Sequence, residues 1–403
     1  MTSSSRRVLV VVGTRPEAIK MAPVTQALRA FAPELETRVC LTGQHTTLVD
    51  QVLDAFRMAP DYELGIMKEG QTLYDVVHGA LDGLRGVVRE FRPDVLLVQG
   101  DTATVFTGAL VSFFEGVRVG HVEAGLRSHD KWAPFPEEIF RRLCDVLTDF
   151  YFAPTQRARE ALLAEGVGTE RVHVTGNTVV DALLGVARTD RAVRNASLAS
   201  VLASDRRLVL LTAHRRESFG EPIREVFRAV RELADARGDI EIVYPVHPNP
   251  NVRTPAAELL SEHPRIHLID PVDYLDLVTA LQRSALVLTD SGGIQEEAPT
   301  FGTPVLVLRE VTERPEGIDA GVAELVGTSR TRILERSLAA LERGTASPPP
   351  NPYGDGRAGE RIADILAAEL LGAPRRIPDW TGPAPALRTT CTSSCTASTS
   401  PRR

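Results

Sequence analysis

Short, continuous apolar runs alternate with longer segments in which apolar positions recur every three or four residues, and this alternation persists along most of the chain. Runs at 7–12, 37–41, 95–99, 117–121, 151–153 and 172–175 read as strands of a parallel sheet covered on both faces, because they are unbroken and not alternating. Helix-like segments at 46–56, 72–91 and 103–115 lie between them. A stretch without strand signals, 187–205, precedes a second alternation with strands at 208–211, 241–244, 266–269, 285–288 and 305–308. The pattern predicts an α/β fold of two Rossmann-like, doubly wound domains facing each other across a cleft. It places the first domain at 1–186 and the second at 187–356, with a helix at 357–371 joining the first. From 372 to 403 the chain turns to Pro, then to Ser and Thr, and reads as a disordered tail unable to bury a core.

The stretch from 95 to 142 carries the sharpest chemistry. Its two strands flank one helix-like segment, and a right-handed crossover puts both strand ends on one edge of the sheet. Asp101 and Glu123 therefore face the crevice where open α/β sheets bind ligands. Glu137, after Pro136 in the first turn of the next helix, faces the same crevice, and three converging acids indicate proton chemistry. Turn and cap duty in ordinary βα loops is the competing reading of Asp101 and Glu123.

The first strand ends in Gly13-Thr14-Arg15-Pro16-Glu17, where Thr14 and Glu17 have capping-box spacing and Pro16 suits a first turn. A helix start carrying Arg15, with Lys20 one turn on, is a candidate anion site; a solvated Lys20 is the alternative. In the second half, Ser291, Gly292 and Gly293 form a Gly-rich turn opening a helix, where bare backbone N–H groups can approach a diphosphate. Glu297, about a turn into that helix, is placed to accept hydrogen bonds from a ribose diol. His214 and His247 follow strands, and Arg314 lies near a helix start. The GxxxxG spacing at 120–125 is a decoy, since Leu126 and Arg127 stand where a phosphate loop needs Lys and Ser or Thr.

With 403 residues and 43% hydrophobic content, the chain can bury a core in each of two domains. Its net charge of −7 provides no basic footprint for nucleic acid, so an anionic substrate must be held by locally placed cations. No apolar run reaches the roughly 18–20 residues of a membrane span, and the N-terminus leads into a strand instead of a signal segment. Cys40 and Cys144 lie in apolar segments, as reduced thiols would, and the expected location is cytoplasmic. None of the nine histidines forms a metal-ligand set, and neither a nicotinamide fingerprint nor a Walker A motif is present. No metal or cofactor is expected.

Taken in order, the motifs are GTRPEAIKMAP (13–23), TGQH (42–45), QGDT (99–102), HVEAGLRS (121–128), PFPEE (134–138), TGNTVVDAL (175–183), TAHRRESFG (212–220), YPVHPNP (244–250), TDSGGIQEEAP (289–299), RPEG (314–317) and NPYGDGRA (351–358). Over about 7–371 the chain resembles the non-hydrolysing UDP-N-acetylglucosamine 2-epimerases of bacteria. The resemblance implies a GT-B-type fold, a homodimer, no nicotinamide or metal, and interconversion of UDP-GlcNAc and UDP-ManNAc. It implies catalytic or near-catalytic roles for Asp101, Glu123, Glu137 and His214, with Arg15 and Lys20 close by. Ser291, Gly292, Gly293, Glu297 and Arg314 would hold the nucleotide. It further implies anti elimination of UDP to 2-acetamidoglucal and re-addition. A related 6-deoxy or uronic 2-acetamido sugar nucleotide would keep nearly the same motifs, and a GT-B glycosyltransferase would share the nucleotide lobe.

Many members bind a second UDP-GlcNAc as an activator. Gln44, His45, Gln71, Arg215 and His247 match that site, but Gly70 stands where an Arg is usual and Thr47 where Gln or Glu is common. Loss of an arginine fork removes a bidentate phosphate contact, so weakened activation is expected.

Overall fold

The computed structural model describes residues 5–43, 46–68, 70–189, 191–344 and 349–382. The first lobe runs β1 (Arg6–Val12), α1 (Arg15–Arg29), β2 (Leu35–Leu41), α2 (Thr46–Ala55), β3 (Tyr62–Glu63), α3 (Leu73–Phe91) and β4 (Val95–Gln99). It continues with α4 (Ala103–Phe114), β5 (Arg118–Val122), α5 (Glu137–Leu147), β6 (Phe150–Ala153), α6 (Gln156–Ala164), β7 (Val172–Val174) and α7 (Thr178–Ala187). The segment read as free of strands contains one short helix, α8 (Ala196–Leu202). The second lobe then follows as β8 (Arg207–Thr212), α9 (Glu221–Ala236), β9 (Ile240–Pro245), α10 (Pro250–Leu260), β10 (Ile266–Ile269), α11 (Tyr274–Arg283) and β11 (Ser284–Thr289). Beyond it come α12 (Gly292–Glu297), β12 (Val305–Val307), α13 (Pro315–Asp319), β13 (Ala323–Leu325), α14 (Arg330–Arg343) and α15 (Ala358–Leu371).

Both sheets are parallel, with strand orders β3-β2-β1-β4-β5-β6-β7 and β10-β9-β8-β11-β12-β13. The order reverses between β1 and β4, and again between β8 and β11; at such switch points neighbouring βα loops part and leave a crevice. The loops bearing Gly13 and Asp101 flank the first switch point, and those bearing His214 and Ser291 flank the second. Two edge pieces, β3 and β13, escaped the sequence reading because strands of two or three residues are too short to show a period.

Strand β1 is buried on both sides: Val8, Val10 and Val12 face one core cluster, and Leu9 and Val11 face another. Helix α15 returns to the first lobe, where Ile362, Ile365 and Leu366 join the cluster of α1 and α7. A Cβ on Gly359 would lie 2.9 Å from the Pro23 carbonyl carbon, so only glycine permits α15 to approach α1 this closely. Tyr274 and Val278 of α11 enter the same cluster, and the Tyr274 ring lies 6.4 Å from that of Phe56. The two lobes are thus packed against each other on this side of the cleft.

The part of the tail that is described corrects the sequence reading. Asp364 accepts the backbone N–H groups of Arg376 (2.9 Å) and Ile377 (3.0 Å), and the Trp380 N–H donates to the Val174 carbonyl at 2.7 Å. Residues 372–382 therefore form a strap along the edge of β7, held by polar partners that composition does not reveal. The remaining tail, including Cys391 and Cys395, lies outside the described residues.

Candidate active site

Glu123 lies just beyond β5 with φ +68°, a conformation unfavourable for a residue with a Cβ and one that recurs at functional sites. Its carboxylate is almost fully enclosed and receives donors on both oxygens. Lys20 Nζ donates to Oε1 at 2.6 Å, Asn177 Nδ2 to Oε1 at 3.4 Å, and Gln99 Nε2 to Oε2. Burial opposes its charge, but the Lys20 ammonium, with Arg314 and Arg141 behind it, holds the carboxyl below its ordinary range. Burial likewise works against the Lys20 ammonium, and the charges of Glu123 and Glu296 keep its pKa raised. Lys20 is thus an enclosed ion-pair partner, which removes the solvated reading.

Asp101 pairs with Arg141 Nη2 of α5. Glu137 opens that helix one turn earlier, and its Oε2 is buried without a hydrogen-bond partner among the described residues. The adjacent Glu138 has a different role, since its carboxylate accepts the backbone N–H groups of Ser128 (2.9 Å) and His129 (3.3 Å) and fixes the loop before α5. Asp101 and Glu123 thus follow neighbouring strands and are each ion-paired, and Glu137 begins the helix that supplies Arg141.

Thr14 and Glu17 do not form the expected capping box, since the Thr14 side chain caps no backbone N–H. Instead the Glu17 carboxylate turns inward. It accepts Gly13 N–H (2.7 Å), Thr14 Oγ1 (2.9 Å) and Thr102 Oγ1 (2.8 Å), tying the β1 loop to the loop that carries Asp101. Burial outweighs these hydrogen bonds and pushes its pKa up to about 7.

In the facing lobe, Asp290 Oδ2 accepts the backbone N–H groups of His214 (2.6 Å) and Arg215 (2.8 Å), joining the two loops at the second switch point. His214 Nδ1 lies 3.6 Å from Asp290 Oδ1, and its ring stacks on His247 at 5.4 Å. Burial lowers the His214 pKa, which favours the neutral imidazole. Gly292 and Gly293 open α12 behind Ser291, and a Cβ on Gly292 would stand 3.0 Å from Glu313 Oε1. Glu297 is raised to about 7 by burial, then by the neighbouring Glu296, against the pull of Lys20 and Arg15. Arg15 sits at the start of α1 beside Val52 and Ala55 of α2 and Asp273 and Tyr274 of the second lobe. Arg314 forms an ion pair with Glu296.

Four participants were missed by the sequence reading: Gln99, Asn177 and Glu296, which surround the Lys20–Glu123 pair, and Glu17. Asn177 Nδ2 donates to Glu296 Oε2 at 3.1 Å as well as to Glu123. Of the regulatory candidates, Gln44 and His45 lie outside the described residues. Gln71 accepts the Lys68 N–H at 2.5 Å in the turn before α3, and Arg215 and His247 flank His214. Among the described residues, no group of three or more His, Cys, Asp or Glu side chains is disposed to hold a metal ion, and no helix is long and apolar enough to cross a membrane.

Residues 26–367 match the sequence model of the UDP-N-acetylglucosamine 2-epimerase family. The chain is 48% identical over 371 residues to the UDP-N-acetylglucosamine 2-epimerase of Escherichia coli O157:H7, covering 89% of this chain and 98% of that one. A crystal structure from Listeria monocytogenes aligns with a TM-score of 0.87 at 44% identity, over 94% of this chain and 100% of the other. The UDP-GlcNAc 2-epimerase from Neisseria meningitidis bound to UDP-GlcNAc aligns with a TM-score of 0.79 at 41% identity, over 91% and 100%. With its two facing Rossmann-like lobes in the GT-B arrangement, the chain belongs to the UDP-N-acetylglucosamine 2-epimerase family.

Proposed function

We propose that the protein interconverts UDP-N-acetylglucosamine and UDP-N-acetylmannosamine by anti elimination and re-addition of UDP. The carrying observation is the enclosed Lys20–Glu123 pair, near the Arg141 that holds Asp101 and facing the Glu296–Arg314 pair of the other lobe. The C2 proton of the sugar is not adjacent to a carbonyl, and it becomes acidic as UDP leaves C1 and positive charge develops there. A carboxylate removes that proton, the C1–O bond breaks with its electron pair going to UDP, and 2-acetamidoglucal forms. A proton then returns to the other face of C2 as a diphosphate oxygen rebuilds the C1–O bond. Glu123, holding three donors, acts as a carboxylate, and Glu137, whose buried Oε2 has no hydrogen-bond partner among the described residues, is the other group for proton transfer. Arg314, Lys20 and the turn from Ser291 to Gly293 neutralise the departing diphosphate, and electrostatic contacts of this kind are worth roughly 3–4 kcal/mol each. Glu297 and Arg15 hold the nucleoside end, and His214 stands at the sugar.

The protein acts as a homodimer in this reading. Phe113 and Phe114 of α4 and Leu143 and Val146 of α5 are exposed on helices that pack together in the first lobe, an apolar face suited to a second copy. Activation by a second UDP-GlcNAc is weak, because Gly70 supplies no side chain for a phosphate.

A proton NMR time course with UDP-GlcNAc in D₂O tests the reaction. UDP-ManNAc carrying deuterium at C2 is expected. Accumulation of free ManNAc and UDP would instead mark a hydrolysing enzyme, and a spectrum without change would exclude this substrate.

A further inference from the structure

We propose that Asn177 is a positioning residue that ties the Glu123 carboxylate of the first lobe to Glu296 of the second, so that docking of the lobes fixes the reacting acid. The inference rests on the epimerase reading and adds a residue to it. Asn177 precedes α7, and its Oδ1 accepts the Val179 N–H at 3.1 Å, an ordinary N-cap. Capping accounts for the carbonyl oxygen and leaves the amide's two donors to be explained. With the amide plane set by the cap, one N–H points to Glu123 Oε1 (3.4 Å) and the other to Glu296 Oε2 (3.1 Å). Asn177 and Glu296 are each 3% exposed, so water cannot readily replace either bond. Both donors of the Asn177 amide are therefore used, one within the first lobe and one across to the second.

A second route runs through the backbone. The Asn177 N–H donates to the Tyr353 carbonyl at 2.7 Å. The Tyr353 hydroxyl accepts the Gly317 N–H (2.9 Å) and donates to the Arg314 carbonyl (3.2 Å). Side chain and backbone of Asn177 thus both lead to Arg314, one through Glu296 and one through Tyr353. Separation of the lobes breaks the bond to Glu296 and leaves the amide, and the Glu123 oxygen that it holds, with fewer restraints.

The test is Asn177→Ser, which keeps the helix cap and loses both reaching donors, compared with Glu296→Gln and the double variant. Loss of hydrogen bonds to buried charged groups predicts a fall in kcat of more than about fivefold, with KM for UDP-GlcNAc and UDP affinity within about threefold of the parent. If both residues act through one bridge, the double variant is no slower than the slower single variant. A kcat within about fivefold of the parent, an effect confined to KM, or losses that multiply in the double variant would each overturn the proposal. Should Asn177→Ser not fold, Asn177→Asp keeps the cap acceptor and the shape while setting a carboxylate against two others, and it is judged by the same criteria. A parent enzyme that leaves the C2 proton in place in D₂O removes the epimerase reading and this proposal with it. A parent that exchanges the proton alongside a fast Asn177→Ser enzyme overturns this proposal alone.

Discussion

Replacing Glu17 by Gln should flatten the pH dependence of stability. The carboxyl is 2% exposed, and burial carries its pKa from 4.5 to about 7 in the folded protein. The unfolded chain releases this proton near 4.5 and the folded chain only near 7, so between the two the native state binds more protons and stability falls as pH rises. The favourable contribution is complete below pH 4.5 and gone above about pH 7. At 1.36 kcal/mol per pKa unit, this one group makes the parent about 2.5 kcal/mol less stable at pH 8 than at pH 5. The glutamine side chain has no charge to release. Its amide oxygen can still accept the Gly13 N–H, and its amide nitrogen can donate to the hydroxyls of Thr14 and Thr102, so the loop-to-loop tie survives in neutral form. Urea unfolding of both proteins at pH 5 and pH 8 measures the difference directly, since every other titrating group cancels between them. The variant is expected to lose about 2–3 kcal/mol less than the parent over that interval. Parallel pH dependences would show that Glu17 ionises normally and that burial does not govern this carboxyl.

Four further outcomes are expected. Asp101→Asn and Glu123→Gln should each lower kcat by about 10²-fold or more in the NMR assay, and activity within tenfold of the parent would remove that residue from the proton chemistry. Glu297→Ala should raise KM for UDP-GlcNAc by about tenfold and leave kcat nearly unchanged, in line with loss of hydrogen bonds to a carboxylate; an unmoved KM would refute the ribose assignment. Phe113→Glu combined with Val146→Glu should halve the mass seen by light scattering, because charges do not fit a buried apolar interface; an unchanged mass would place any dimer contact elsewhere. Initial rates against UDP-GlcNAc should be hyperbolic, and strong sigmoidicity, or a requirement for UDP-GlcNAc in the reverse direction, would show that activation persists without a side chain at Gly70.

What the sequence made legible, and what it concealed, divides by the distance over which each residue finds its partner. Asp101 and Glu123 could be placed after neighbouring strands because strand, crossover and strand follow one another directly in the chain, and parallel pairing alone then puts both strand ends on one edge. Asn177 and Glu296 were invisible because an amide and an acid separated by 119 positions carry no local signal of meeting. The capping-box spacing at Thr14 and Glu17 was present, but Thr102 offered the carboxylate a hydroxyl from a neighbouring βα loop. The carboxylate turned inward to it and to Gly13, a choice decided by the β1–β4 register and not by the sequence of α1. The strap at 372–382 failed the composition test for the same reason. Its Trp380 is buried, and Arg361, 5% exposed, donates to the Pro378 carbonyl, the Thr175 carbonyl and Asp355, and so binds strap, β7 edge and the start of α15 in one contact set. Hydrophobic periodicity reports which face of an element is covered. Polar side chains inside the molecule are instead satisfied one by one by groups that only the finished topology brings near, and in this protein several of those side chains surround the Lys20–Glu123 pair.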